Sequence, residues 1–275
     1  MVASSQTDSS FSLSAFLVSD GPAGFILSWV AGFTDTAAFI VLFGLFTAHV
    51  TGNLALAGSS FASSDEGSTV TRLLMLPTFM VAVALTSLLA RYARRKQWPV
   101  LAVLLTAEAI ALTLFLLVGT RLSPALLLDV QEDLILPIGI TGVIAMAIQN
   151  ALMKEAKGAF KSYIPTTVMT GNTTQFTIDI VQLVLAKFSS SGEASEREAA
   201  EALERMSRTV PILLGFVLGG TAAAYFVTFA EFWSIALPLL AVCMLAAAAY
   251  VQGDRPVIQA PAPVPATADP IISNR

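Results

Sequence analysis

Along the chain, polar residues gather in short clusters and leave long apolar runs between them. The runs are roughly Gly24–Phe43, Phe46–Phe61, Leu73–Ala90, Pro99–Val118, Leu134–Met153, Pro165–Phe188, Val210–Ala230 and Trp233–Val251. None alternates an apolar stripe with a charged face, as a helix on the surface of a soluble protein does. About 20 apolar residues cross a bilayer core as a helix. The pattern therefore predicts an all-α, polytopic transmembrane helical bundle of about eight spans. Gly24–Phe61 admits two readings, because it is too long for one span while the part after His49 is short for a second. Two spans place the N-terminus outside; one span and a re-entrant half-helix place it inside. Two spans are the reading adopted.

Composition agrees with a surface that faces lipid. Of the 275 residues, 55% are hydrophobic and 12% charged, whereas a soluble domain carries about 25% charged residues. The net charge of −4 says little about partners, and the absence of a basic patch argues against nucleic acid. Arg72 is the first basic residue, so Met1–Ser19 lacks the positive start of a cleavable signal and reads as part of a Ser-rich disordered tail, 1–20. The Pro- and Ala-rich stretch 253–275 reads as a second tail. Cys243 has no second cysteine to pair with and is expected to be a small buried residue.

Basic residues in short loops set the orientation. Arg91, Arg94, Arg95 and Lys96 mark one cytoplasmic loop, and Lys154, Lys157 and Lys161 mark another. The acidic loops around Asp129, Glu132 and Asp133 and over 189–207 are then expected outside. The stretch Glu193–Arg208 reads as a short solvated helix between spans.

Thr-Gly-Asn occurs twice, at Thr51-Gly52-Asn53 and Thr170-Gly171-Asn172. The flanks match in the same order. Gly32-Phe33-Thr34-Asp35 corresponds to Ala147-Ile148-Gln149-Asn150, Arg72 and Pro77 to Arg208 and Pro211, and Trp98 to Trp233. This order predicts two homologous halves of about four spans each, with broken helices at the Thr-Gly-Asn motifs. The first repeat covers 21–120, a connecting loop 121–133, and the second repeat 134–252. Four spans per half make the repeats parallel; three spans and a re-entrant segment make them inverted.

These paired contexts, Gly32-Phe33-Thr34-Asp35 with Thr51-Gly52-Asn53 and Gln149-Asn150-Ala151 with Pro165 to Asn172, resemble the YoaK family of multi-span membrane proteins, a domain of unknown function. The resemblance covers about Gly24–Val251 and departs at Ala147, where the family pattern has glycine. It implies a membrane fold and location but no established activity.

Several polar groups inside the runs are candidates for chemistry. An acid at bilayer depth costs at least about 2.5–3.5 kcal/mol on insertion scales. Asp35 is thus expected to bind a proton or substrate; the structural alternative is a hydrogen bond between helices. A helix that starts inside the membrane aims unsatisfied N–H groups and partial positive charge inward. Thr51, Gly52, Asn53, Thr170, Gly171 and Asn172, with Gln149 and Asn150, are therefore candidate substrate-binding residues, the alternative being capped kinks held for packing. His49, the single histidine, titrates near neutrality and joins Asp35 and Glu108 as a proton-coupling candidate; it also suits a helix end near the surface. Asp179 is a weaker candidate that suits a pairing with another helix. Arg72 and Arg208 suit snorkelling to headgroups, and Gly215 to Gly220 suits close helix packing.

Catalytic residues, a metal site and a cofactor are not expected, because no nucleophile–base or metal-ligand spacing is present. These features favour a secondary transporter or permease for a small solute, with proton coupling through Asp35, in a multi-pass cell membrane (the inner membrane if bacterial). The expected partners are the bilayer and the solute, with small-residue faces that allow a homo-oligomer. A non-transporting membrane sensor or assembly subunit is the alternative.

Overall fold

A computed structural model describes residues 12–60, 66–129, 132–156, 159, 165–188 and 193–253. The regular structure among the described residues is all helical, with no strand. In chain order the helices are α1 (Leu13–Leu17), α2 (Asp20–Val41), α3 (Val50–Ser60), α4 (Glu66–Arg95), α5 (Val100–Asp129), α6 (Ile135–Glu155), α7 (Met169–Phe188), α8 (Glu193–Ala230) and α9 (Ala236–Gln252). Short 3-10 turns at Glu132–Leu134 and Glu231–Ile235 precede α6 and α9.

Five described stretches are long and apolar enough to cross a bilayer: Asp20–Val41, Thr69–Arg95, Val100–Ser123, Ile135–Glu155 and Ser195–Gln252, the last running through α8 and α9. The chain is an integral membrane protein. Bulky apolar side chains such as Met80, Leu85, Leu88, Ile110, Leu114 and Val217 face outward, where a bilayer would cover them. Exposed Tyr92, Trp98 and Tyr250 at one end, and Tyr225 and Trp233 at the other, form the aromatic girdles expected at headgroup level.

The helix directions follow from contacts. Ser28 Oγ donates to the Ile212 carbonyl at 2.7 Å, and Gly220 lies against Thr36, so α2 and α8 run parallel. A methyl at Gly32 would collide with the Phe216 backbone, and at Gly215 or Gly219 with the backbones of Phe25 or Trp29. The expected close approach at Gly215 to Gly220 is therefore present, and α2 is its partner. Gln252 at the end of α9 bonds Ser12 and Ser14 near the start of α2, so α9 returns antiparallel. Arg94 near the end of α4 pairs with Glu155 at the end of α6 at 2.7 Å, placing both ends together. Phe232, just before α9, meets Gly119 of α5 at the opposite end.

Several expectations change. Phe46–Phe61 is not a full span: α3 has 11 residues, a rise of about 16 Å against a hydrocarbon core of about 30 Å. The chain leaves α2 through Phe43 (φ 51°) and Gly44 (φ 86°), a left-handed pair for which glycine suits the second position, and runs back inward before α3 begins. Pro165–Phe188 is not among the five apolar stretches either. Its helix α7 carries Thr170, Thr173, Thr174, Gln175 and Thr177 and runs outward along the start of α8, where Arg205 meets Asp179. The acidic start of α8 thus lies at the same end as Arg94, not across from it. Glu193–Arg208 is the first part of the continuous α8 rather than a separate helix.

The connecting loop expected over 121–133 is helical as far as Asp129. Within the expected 1–20 tail, Leu13–Leu17 is a helix capped by Ser12 and tied to Gln252; residues 1–11 and the expected tail beyond Gly253 lie outside the described residues. Cys243 is exposed, because its side of α9 looks out of the bundle where a bilayer would cover it.

Candidate functional site

The first helix break is built around Asp35, which is 3% exposed in the middle of α2. Its Oδ1 accepts the backbone N–H groups of Thr47 at 2.8 Å and Ala48 at 2.6 Å. Its Oδ2 lies 2.6 Å from His49 Nδ1. The sequence expectation was of unsatisfied N–H groups awaiting a ligand at the start of a half-helix. Here a resident carboxylate already occupies that position, at the partly positive helix start.

Asn53 completes the turn. Its Oδ1 accepts the Phe46 N–H at 2.9 Å and its Nδ2 donates to the Phe46 carbonyl at 2.8 Å. The motif asparagine thus clamps the residue seven positions earlier with both ends of its amide. A Cβ at Gly52 would sit 3.0 Å from the Phe46 ring, a tight contact for which the ring would have to shift by a few tenths of an ångström. Thr51 is exposed. The whole turn packs against α6, where Gly139 faces Leu45 and Gly142 faces Thr47 and Phe115.

The second break has the same outline with neutral groups. Asn172 Nδ2 donates to the carbonyl of Pro165, again seven residues back, at 2.7 Å. Proline has no N–H, so the two-bond clamp of Asn53 cannot form there. Asn150 Oδ1 accepts the Thr167 hydroxyl at 2.6 Å, as Asp35 holds the first turn. Gln149 Nε2 donates to the Thr166 hydroxyl at 3.0 Å and to the Leu27 carbonyl at 2.7 Å, joining this break to α2. Gly171 has open space around it, so sterics do not demand glycine there. Thr170 lines an open cleft of about 560 Å³ with Thr173, Thr174 and Thr177.

The structure therefore gathers the candidates into two groups: Asp35, His49 and Asn53 in one, and Gln149, Asn150 and Asn172 in the other. They do not converge on one point. Leu27, which Gln149 touches, and Asp35 lie eight residues apart on α2, about 12 Å of helix rise, and the two turns enter from opposite ends of the bundle. Glu108 is fully buried in α5 with both carboxyl oxygens lacking a hydrogen-bond partner, and it bonds neither break. Asp179 pairs with Arg205 at 2.9 Å. Arg72 donates to Ser60 Oγ at 3.0 Å, and Arg208 pairs with Glu204.

Three contributors escaped the sequence reading: Thr47, Thr166 and Thr167. The signal for the first two was present, since each threonine stands six residues before its motif asparagine. His49 was expected as a relay or a surface-level helix end; it is the side-chain partner of Asp35, with its ring edge-on to Phe46 and to Phe216 of α8.

No curated protein and no solved structure matches the chain. A family model described as Protein of unknown function (DUF1275) matches residues 23–249, which takes in both breaks and every helix that frames them. The chain belongs to that family.

Proposed function

We propose that this protein is a secondary transporter or permease for a small solute, built from two inverted halves that each hold three spans and one re-entrant segment. In the first half these are α2, the turn leading into α3, α4 and α5. In the second they are α6, the turn leading into α7, α8 and α9. Cross-packing supports the pairing: α2 lies on α8 as α6 lies on α4, α3 lies on α4 as α7 lies on α8, and α5 meets α9. An odd number of spans reverses the second half, the arrangement found in many transporters whose binding sites use discontinuous helices. The basic residues Arg91, Arg94, Arg95, Lys96 and Lys154 then share the cytoplasmic side.

The observation that carries the reading is the chemical difference between two similarly shaped breaks. The first is closed by a carboxylate and an imidazole, the second by amides and hydroxyls. Protonation of Asp35 removes its negative charge from the N–H groups of Thr47 and Ala48, and a charge-assisted hydrogen bond is roughly twice as strong as a neutral one. The first turn loosens when the proton arrives and tightens when it leaves, while Asn150 keeps the second turn independent of protons. Thr170, Thr173, Thr174 and Thr177 offer hydroxyls to an entering polar solute. Catalytic residues, metal and cofactor play no part in this reading.

The experiment is solute uptake by reconstituted vesicles across a panel of amino acids, sugars, organic acids and cations, with internal pH followed by a trapped dye. The proposal expects protein-dependent flux of one class accompanied by proton movement. It expects Asp35→Asn to abolish the proton movement. No protein-dependent flux for any member of the panel would remove the permease reading. Proton movement retained by Asp35→Asn would remove Asp35 from coupling.

A further inference from the structure

We propose that the end of α4 and the start of α5 bind an anionic phospholipid from the surrounding bilayer, an acyl chain lying along two joined apolar grooves. The first groove, about 560 Å³, runs along Pro77, Val81, Leu85 and Leu89 of α4 and is floored by Ile144 and Ile148 of α6. It extends from Leu74 to Leu89, about 22 Å along the helix, the scale of one leaflet with part of the next. Its two threonines do not interrupt the hydrocarbon lining. Thr78 and Thr86 hydroxyls each donate to a carbonyl of their own helix, at 2.8 and 2.7 Å. The second groove, about 470 Å³, lies between Trp98, Val103, Ile110 and Tyr250. Both grooves include Leu89 and Ala107, so they join end to end and form one track from Trp98 down toward Leu74.

The Trp98 end of that track is a cationic, aromatic turn. Arg91, Tyr92, Arg95, Lys96 and Trp98 are all exposed. Lys96 Nζ lies 5.9 Å from the centre of the Tyr92 ring, and Tyr92 stacks edge-on against Trp98. Arg94 is turned aside to Glu155. Basic residues at headgroup level attract anionic lipid, while hydrocarbon lining alone would not distinguish headgroups. In the glycine-lined α2–α8 contact the backbones touch instead. An acyl chain beneath a charged head matches the joined grooves and the cations together.

Native mass spectrometry of the delipidated protein, reloaded with phosphatidylglycerol, phosphatidylcholine or palmitate, tests the site. The expected result is one retained phosphatidylglycerol, favoured over phosphatidylcholine by about tenfold. The variant Arg91→Gln/Arg95→Gln/Lys96→Gln, altered only on the surface, is expected to lose that preference. Ala107→Phe, at the junction of the grooves, is expected to lower retention of both phospholipids. Equal retention of the two phospholipids by the wild type would overturn the proposal, as would a preference that survives the triple variant. Palmitate displacing phosphatidylglycerol at equal concentration would show a fatty-acid site instead, and an unchanged ladder of adducts in Ala107→Phe would show only annular lipid.

Discussion

His49 Nδ1 sits 2.6 Å from Asp35 Oδ2, on the same carboxylate whose other oxygen holds the N–H groups of Thr47 and Ala48. One side chain thus ties the middle of α2 to the turn before α3. Asp35→Asn keeps an acceptor for the two N–H groups and removes the charge, so it is expected to cost about 1–3 kcal/mol of stability. Asp35→Ala leaves the N–H groups buried without a partner and is expected to cost more. Thermal unfolding in detergent micelles checks the order, and equal losses for the two variants would contradict it.

The two motif asparagines are expected to differ in weight. Asn53 bonds both the N–H and the carbonyl of Phe46, whereas Pro165 offers Asn172 only a carbonyl. Asn53→Ala should therefore destabilise by about 2 kcal/mol and Asn172→Ala by about 1 kcal/mol, at roughly 1 kcal/mol per bond. The same unfolding measurement reads the difference.

Glycines divide by their surroundings. Gly32→Ala forces a methyl into the Phe216 backbone, where helix backbones cannot shift cheaply, and should cost about 1–3 kcal/mol. Gly171→Ala meets open space in the first turn of α7 and should be neutral or stabilising by up to about 1 kcal/mol. Expression level and melting temperature of the two variants, compared side by side, test this contrast.

Arg205 is the partner of Asp179, whose side chain is fully buried. Arg205→Ala leaves that carboxylate buried without its cation and is expected to destabilise by about 2–3 kcal/mol, at or below the lower bound for fully buried pairs because Arg205 itself is partly exposed. Adding Asp179→Asn should restore part of the loss. A double-mutant cycle showing no coupling would mean that the pair does not hold α7 to α8.

Much of this architecture is legible in the chain. The apolar runs mark the helices, and matching Asp35 to Asn150 identified the two residues that each hold a turn. The partial failures have physical causes. Phe46–Phe61 reads as a span because hydropathy does not register direction: the reversal is made by two left-handed residues, Phe43 and Gly44, and by Asp35 drawing the Thr47 and Ala48 N–H groups inward. The threonines of α7 were visible, but their spacing among Ile178, Ile180 and Val181 kept the run apolar on average. Grouping the residues of both breaks as one set of substrate-binding candidates treated the two motifs as level. Their levels depend on chain direction, which the motifs themselves do not encode. Cys243 was placed inside because an apolar run does not distinguish the bundle's interior from its lipid-facing side.

The central claim is that the two breaks enter from opposite faces of the membrane, and single-cysteine labelling in a Cys243→Ser background tests it most directly. Gln97→Cys, Asp133→Cys and Glu198→Cys are each probed in intact cells with a membrane-impermeant maleimide. The inverted arrangement predicts that positions 97 and 198 react from the same side and position 133 from the other. Labelling of 198 together with 133, and opposite to 97, would mean that α7 crosses the bilayer and would contradict the account.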